Sequence, residues 1–220
     1  MMLTEHGELL MQLSTVQKLG GISLILGSVL LLVYSVLFPF LLPMNEMNAD
    51  FTLLVLNPNW ISLGVGAFAG VILMIFGFSA VYSKLYAESG LVGLLGLFFV
   101  EIAYILQACK VTWEIFLWPV IASQRESAFL LRDFIIKNSA LVITFRVIAS
   151  ITIFLGIILF CIALIRSISF PKLGGILIFV GAFMYGLGPL LSVYVAMAGI
   201  FILSIGCTII GLTLIKNPTG

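Results

Sequence analysis

The chain has 220 residues, 62% of them hydrophobic and 9% charged, with a mean hydropathy of +1.30. A soluble domain carries about 45–50% apolar and about 25% charged residues, so this composition cannot cover a water-facing surface and a soluble globular fold is excluded. Ten basic against nine acidic residues leave a net charge of +1 and no basic field, which excludes disorder and nucleic-acid binding.

What remains is an all-α, polytopic membrane helix bundle, in which each crossing needs about 20 mainly apolar residues. Glu5 and Glu8 stand where a secretory leader would be basic, and the following apolar run is too long for one, so the N-terminal segment is expected to be retained. Leu9, Leu13 and Val16 recur at helical spacing and predict a short amphipathic lead-in over 8–18, lying at the interface. The first span is 19–42, closed by Pro39 and Pro43, and the second is 60–82. The third is 91–110, with an apolar continuation toward Trp118, and Pro119 ends whatever precedes it.

Ser123 and Glu126 fit a capping box, and Asp133 and Lys137 are spaced for mutual support. Leu130, Leu131, Phe134 and Ile135 share one side of this segment, predicting an interfacial helix over 123–138. Its expected role is structural, with a lid or a docking surface as alternatives. The fourth span is 140–165. The last apolar stretch is too long for one crossing, and the Gly188-Pro189 pair divides it into 173–188 and 190–215. Six spans in a single domain result.

Lys18, Lys84, Arg166, Lys172 and Lys216 all fall on one side of a six-span chain, which predicts cytoplasmic N- and C-termini. Lys110, Arg125, Arg132 and Lys137 lie on the other side and oppose that orientation. Trp60, Trp113 and Trp118 gather at the outer interface and support it.

Gly66 and Gly70 form a GxxxG, continued by Gly77, and packing within the bundle is the first reading of it, with dimerisation the alternative. Lys18-Leu-Gly-Gly-Ile22 recurs as Lys172-Leu-Gly-Gly-Ile176, and Ala69-Gly70 with Gly77 recurs as Ala198-Gly199 with Gly206. The chain could thus comprise three tandem helical hairpins, the first and third similar and the middle one diverged.

Ionisable residues inside a bilayer are functional candidates by default. Glu101 in the third span and Arg146 in the fourth qualify. They are expected at similar depth, either as an ion pair between neighbouring helices or as the lining of a polar cavity. Gln107, Lys110 and Glu114 share one helix face and form a weaker vestibule candidate, beside Tyr104.

The single histidine, His6, lies in the N-terminal tail, which removes bis-His haem, His-ligated zinc and histidine-activated nucleophiles. Cys109, Cys161 and Cys207 lie in apolar stretches without metal-ligand spacing and read as small hydrophobes. The pattern indicates no catalytic residue, metal or cofactor, so the enzyme reading is a distant third.

From Leu155 to Gly188 a helix ends in Arg166-Ser167, a short loop carries Phe170-Pro171-Lys172, and a glycine-opened helix follows. This resembles uncharacterised bacterial six-helix integral membrane proteins, over the last third of the chain only. The resemblance implies a bacterial-type plasma membrane, and no activity comes with it. The expected function is a non-catalytic membrane subunit or scaffold, in contact with the lipid bilayer and with a membrane-protein partner or a second copy. The alternative is a small-solute or lipid transporter using Glu101, Arg146 and a helix break at Gly188-Pro189.

Overall fold

The computed structural model describes residues 2–42 and 50–218, with side chains from Met11 onward except that of Pro189. In chain order the helices are α1 (Met2–Leu41), α2 (Phe51–Val55), α3 (Asn59–Thr112), a π-helical turn (Trp113–Leu117), α4 (Trp118–Ser123), α5 (Phe129–Arg132), α6 (Ala140–Arg166), α7 (Lys172–Leu191) and α8 (Val193–Lys216). The described residues contain no strand. Met11–Leu41, Asn59–Ser123, Ala140–Arg166 and Val193–Lys216 are long and apolar enough to cross a membrane, and Lys172–Gly188 is a shorter apolar helix.

α3 reverses direction at Gly90, whose φ of 52° and ψ of −145° suit a residue without a Cβ. Its two arms, 59–89 and 91–112, pack side by side: Phe78 stacks on Tyr104 at 5.7 Å, and Trp60 Nε1 donates to the Glu114 carbonyl at 2.7 Å. α1 packs on the first arm, the second arm on α6, α6 on α7, α7 on α8, and α8 returns to α1. Leu24, Met74, Phe78, Phe160, Ile178 and Cys207, none more than 1% exposed, fill the middle of this ring.

Small residues decide how closely helices meet where lipid supplies no hydrophobic drive between them. A Cβ on Gly27 would stand 2.9 Å from the Gly70 carbonyl oxygen, and one on Gly70 would stand 3.1 Å from that of Gly27. Gly181 and Gly199 repeat the arrangement at 2.7 and 2.8 Å. A Cβ on Gly96 would stand 2.6 Å from Phe160 N, and one on Gly156 2.5 Å from Val100 N, so the middle pair crosses on glycines too. Gly77 abuts Leu24 as Gly206 abuts Ile178. Within the two Lys-Leu-Gly-Gly segments, Gly20 and Gly174 each face the helix that follows, whereas Gly21 and Gly175 each face the neighbour on the other side. Gly66 meets nothing within 4 Å, so only Gly70 of the GxxxG lies in a crossing.

Several boundaries differ from the sequence expectation. The lead-in over 8–18 continues straight into α1, and Gln17 is buried there, its Nε2 donating to Ser83 Oγ at 3.3 Å. Pro39 lies inside α1 rather than closing it, and Pro43 falls outside the described residues. Pro119 does not end the third apolar helix either. The π-turn brings Trp118 N–H onto the Trp113 carbonyl, and Pro119, in the first turn of α4, has no required hydrogen bond to lose.

The continuous interfacial helix over 123–138 is not formed. Ser123 ends α4, its hydroxyl donating back to the Val120 carbonyl at 2.9 Å, and extended Gln124 follows, so no helix starts at Ser123 for it to cap. Phe134, at a φ of 58°, ends the short α5 region. Asp133 pairs with Arg132 at 3.3 Å, while Lys137 lies 5.1 Å from the ring centres of both Phe51 and Phe134.

The break expected at Gly188-Pro189 falls instead at Ser192, with α7 running through both residues. Gly188 serves the crossing, since a Cβ there would stand 2.5 Å from Ala196 N. Extended Ser192 divides the helices and its hydroxyl accepts from Tyr194 N–H at 3.2 Å.

At the Gly90 end, the exposed Glu88 carboxylate accepts from Ser167 Oγ at 2.6 Å, Ile168 N at 2.7 Å, Ser169 N at 3.5 Å and Ser169 Oγ. Lys84 Nζ donates to the Asn217 carbonyl and lies 5.9 Å from the Phe170 ring centre. The Gly90 turn is thereby tied to the α6–α7 loop and to the end of α8.

Two outcomes are expected in thermal unfolding of the detergent-solubilised protein. Gly181→Ala, which would drive a Cβ to 2.3 Å from Leu203 N, should destabilise by about 1–3 kcal/mol. Gly66→Ala should be neutral or stabilise by up to about 1 kcal/mol, since nothing stands in its way; equal losses at the two sites would refute the crossing.

Hydrogen bonds from Ser167 and Ser169 hold the Glu88 carboxyl down at about 2, from an ordinary 4.5. A depressed carboxyl stabilises the fold above its unfolded value, and that contribution is lost as pH falls from about 4.5 toward about 2. Glu88→Gln should therefore flatten this part of the melting-temperature-against-pH curve; an unchanged acid limb would show the loop contact to be idle.

Candidate functional site

Polar groups converge at the opposite end of the ring, the Ser192 end. Arg146 lies on the α6 face that carries Ile157 and Leu164 further along, both buried, so it is directed at the ring interior. Tyr185 stands two turns from fully buried Ile178 on the inward face of α7. Yet Arg146 is only half-buried and Tyr185 is 38% exposed. Inward-facing side chains that stay accessible mean that the interior is open at this end.

α6 shows the same opening from the other side. All its buried residues lie from Gly156 to Leu164, and none lies in the 140–155 half. Across the opening, the second arm of α3 presents Gln107, Lys110 and Glu114 on one face, all half-buried. Lys110 Nζ lies 3.5 Å from Glu114 Oε1. Tyr34 of α1 packs against Ala67, Val111 and Ile115, its ring 5.3 Å from that of Phe38. A void of about 10 Å³, room for one water molecule, lies among Tyr34, Phe38, Trp60, Gly64, Val111, Glu114 and Ile115.

An aromatic cap sits over this end. Phe51 of α2 meets Trp60, Trp118 and Phe134 at 5.3–6.1 Å, edge-on to the two indoles and tilted to Phe134, with Leu54, Val55 and Leu131 buried beneath. Lys137 hangs from the cap. Burial and the nearby Arg146 guanidinium hold its ammonium below the usual lysine range, and Glu114 opposes them. Among the described residues, Lys110, Lys137, Arg146 and Glu114 thus form one cluster of three cations and one carboxylate.

Glu101 is not part of it. Ser79 of the first arm donates to Glu101 Oε1 at 2.5 Å and also lies 2.9 Å from the Ile75 carbonyl oxygen. No ion pair joins Glu101 and Arg146 among the described residues. The crossing of Gly96 with Phe160 and the contact of Trp113 with Phe145 at 5.2 Å place Arg146 level with Lys110. That is about nine residues, or about 13 Å, along the helix from Glu101. Sequence spacing alone misses this because helix register is set by the crossing and not by where each span begins. It also leaves out Tyr34, Tyr185 and Lys137, although Tyr185 stands as the single hydroxyl-bearing side chain of α7.

The fold and the vestibule define a class, an all-helical protein of membrane type with one polar end left open. Within that class no protein-family profile matches the chain, and neither a curated protein nor a solved structure matches it.

If Glu101 and Arg146 act separately, stability losses from Glu101→Gln and Arg146→Met should add to within about 0.5 kcal/mol. Glu101→Gln and Ser79→Ala, which touch one hydrogen bond, should not add. A double-mutant cycle on thermal unfolding reads both, and strong coupling between Glu101 and Arg146 would overturn the register that sets Arg146 level with Lys110.

Proposed function

We propose that the chain is a six-crossing integral protein of the plasma membrane, built of three tandem hairpins, and that it serves as a non-catalytic membrane subunit or scaffold. The reading takes α1, the two arms of α3, α6, α7 and α8 as the crossings. The recurrence of one glycine crossing within each successive pair supports the hairpin arrangement. Lys18, Lys84, Arg166, Lys172 and Lys216 gather at the Gly90 end, which favours a cytoplasmic location for that end and for both termini. The likeness of the Leu155–Gly188 stretch to bacterial six-helix membrane proteins agrees with this.

The observation that carries the scaffold reading is the filled axis. Met74, Phe78, Phe160 and Cys207 close the ring at mid-depth with no more than 1% exposure, whereas transport needs a path there. Leu141, Leu190 and Phe40 are 84%, 83% and 73% exposed, so the chain offers broad apolar surface to lipid or to another membrane helix.

Native mass spectrometry of the protein extracted gently from its own membrane tests the reading. A stoichiometric second polypeptide is the expected result. A bare monomer, or a homodimer that retains a small solute lost in Glu101→Gln, would overturn it in favour of transport.

A further inference from the structure

We propose that the vestibule at the Ser192 end is a binding site for the phosphate of an anionic phospholipid, held by Arg146, Lys110 and Lys137. The inference rests on the chain lying in a bilayer and not on its being a subunit. Among the described residues three cations, Lys110, Lys137 and Arg146, gather here about one carboxylate, Glu114, which is already shared with Lys110. Arg146 makes no hydrogen bond or ion pair among the described residues, although it points inward seven residues into an apolar helix. A guanidinium at that depth is costly unless an anion meets it, and its planar fork matches two phosphate oxygens.

The shape of the site favours a lipid over a free ion. The open 140–155 half of α6 gives sideways access from the hydrocarbon, along exposed Ile143, Val147 and Ile151. On the α1–α3 side the packed rings of Phe51, Trp60 and Trp118 give this end an apolar wall. An amphiphile could lay its acyl chains on the first surface and its phosphate among the cations. Tyr34 lines a small void with Glu114 and brings a neutral hydroxyl to the same end.

The test uses the full-length protein in detergent, titrated with phosphatidylglycerol or phosphatidylcholine and read by native mass spectrometry and melting temperature. Phosphatidylglycerol should be retained in preference to phosphatidylcholine. Arg146→Gln and Lys110→Gln should each weaken that retention about tenfold, as expected for one lost charge-assisted contact. Arg146→Lys should keep part of it, and Lys137→Gln, in the loop, probes the site without altering a crossing helix. Lys216→Gln, at the far end, should change nothing.

Three results would overturn the proposal. One is equal retention of the two lipids, and another is an equal loss in Lys216→Gln. The third is displacement of phosphatidylglycerol by millimolar inorganic phosphate, which would assign the site to a free ion. Absence of a second polypeptide from the membrane extract would leave the lipid result standing, so the two readings fail separately.

Discussion

A helix pair that meets glycine to glycine has its register fixed at that point, because a slip of one residue drives a side chain into a backbone carbonyl. Gly27 with Gly70 and Gly181 with Gly199 impose that constraint twice around the ring, and Gly96 against Phe160 with Gly156 against Val100 impose it on the middle pair. Each contact is backbone on backbone, where dispersion is gained at short range without ordering long side chains. The consequences run outward from the crossings. They bring Leu24 and Ile178 to equivalent buried positions, and they set the depth of every polar residue on the same helices.

The two ends of the bundle handle their polar groups differently. At the Gly90 end, Glu88 gathers donors from the Ser167–Ser169 segment and Lys84 reaches the Asn217 carbonyl, so charged side chains tie three chain segments together. At the Ser192 end the charges lie between the crossing helices, and Lys137 joins them to an aromatic cluster at 5.1 Å from the Phe51 and Phe134 rings. At the first end Glu88 and Lys84 are bound to other chain segments. At the second, cations outnumber carboxylates among the described residues, in a partly open space.

Much of the helical content is legible in hydropathy, because a bilayer-length apolar run has few other fates. α6 and α8 begin and end within a residue or a few of expectation. The boundaries that local patterns misplace are those at proline and at capping residues. Pro39, Pro119 and Pro189 all lie within helical runs, because a proline near a helix end forfeits little when the local turn widens or the helix soon stops. Ser123 has the spacing of a capping box, yet it is the last residue of α4 and extended Gln124 follows it, so there is no helix start for it to cap. Of the candidate site residues, Lys110, Glu114 and Arg146 are brought together, while Glu101 is held apart with Ser79. Which side chains meet across helices depends on crossing points far away in sequence, and no local pattern encodes that.

The open half of α6 does have a cause in its sequence. Between Ala140 and Leu155 there is no glycine. No position in this half offers the close backbone approach that Gly156 permits a few residues later, and the half buries no residue. A long charged side chain needs the space that a glycine crossing removes. Close approach and an inward-facing arginine therefore exclude each other on one stretch of helix face, and α6 assigns them to different halves. The glycine half holds the ring together, and the glycine-free half leaves room for Arg146.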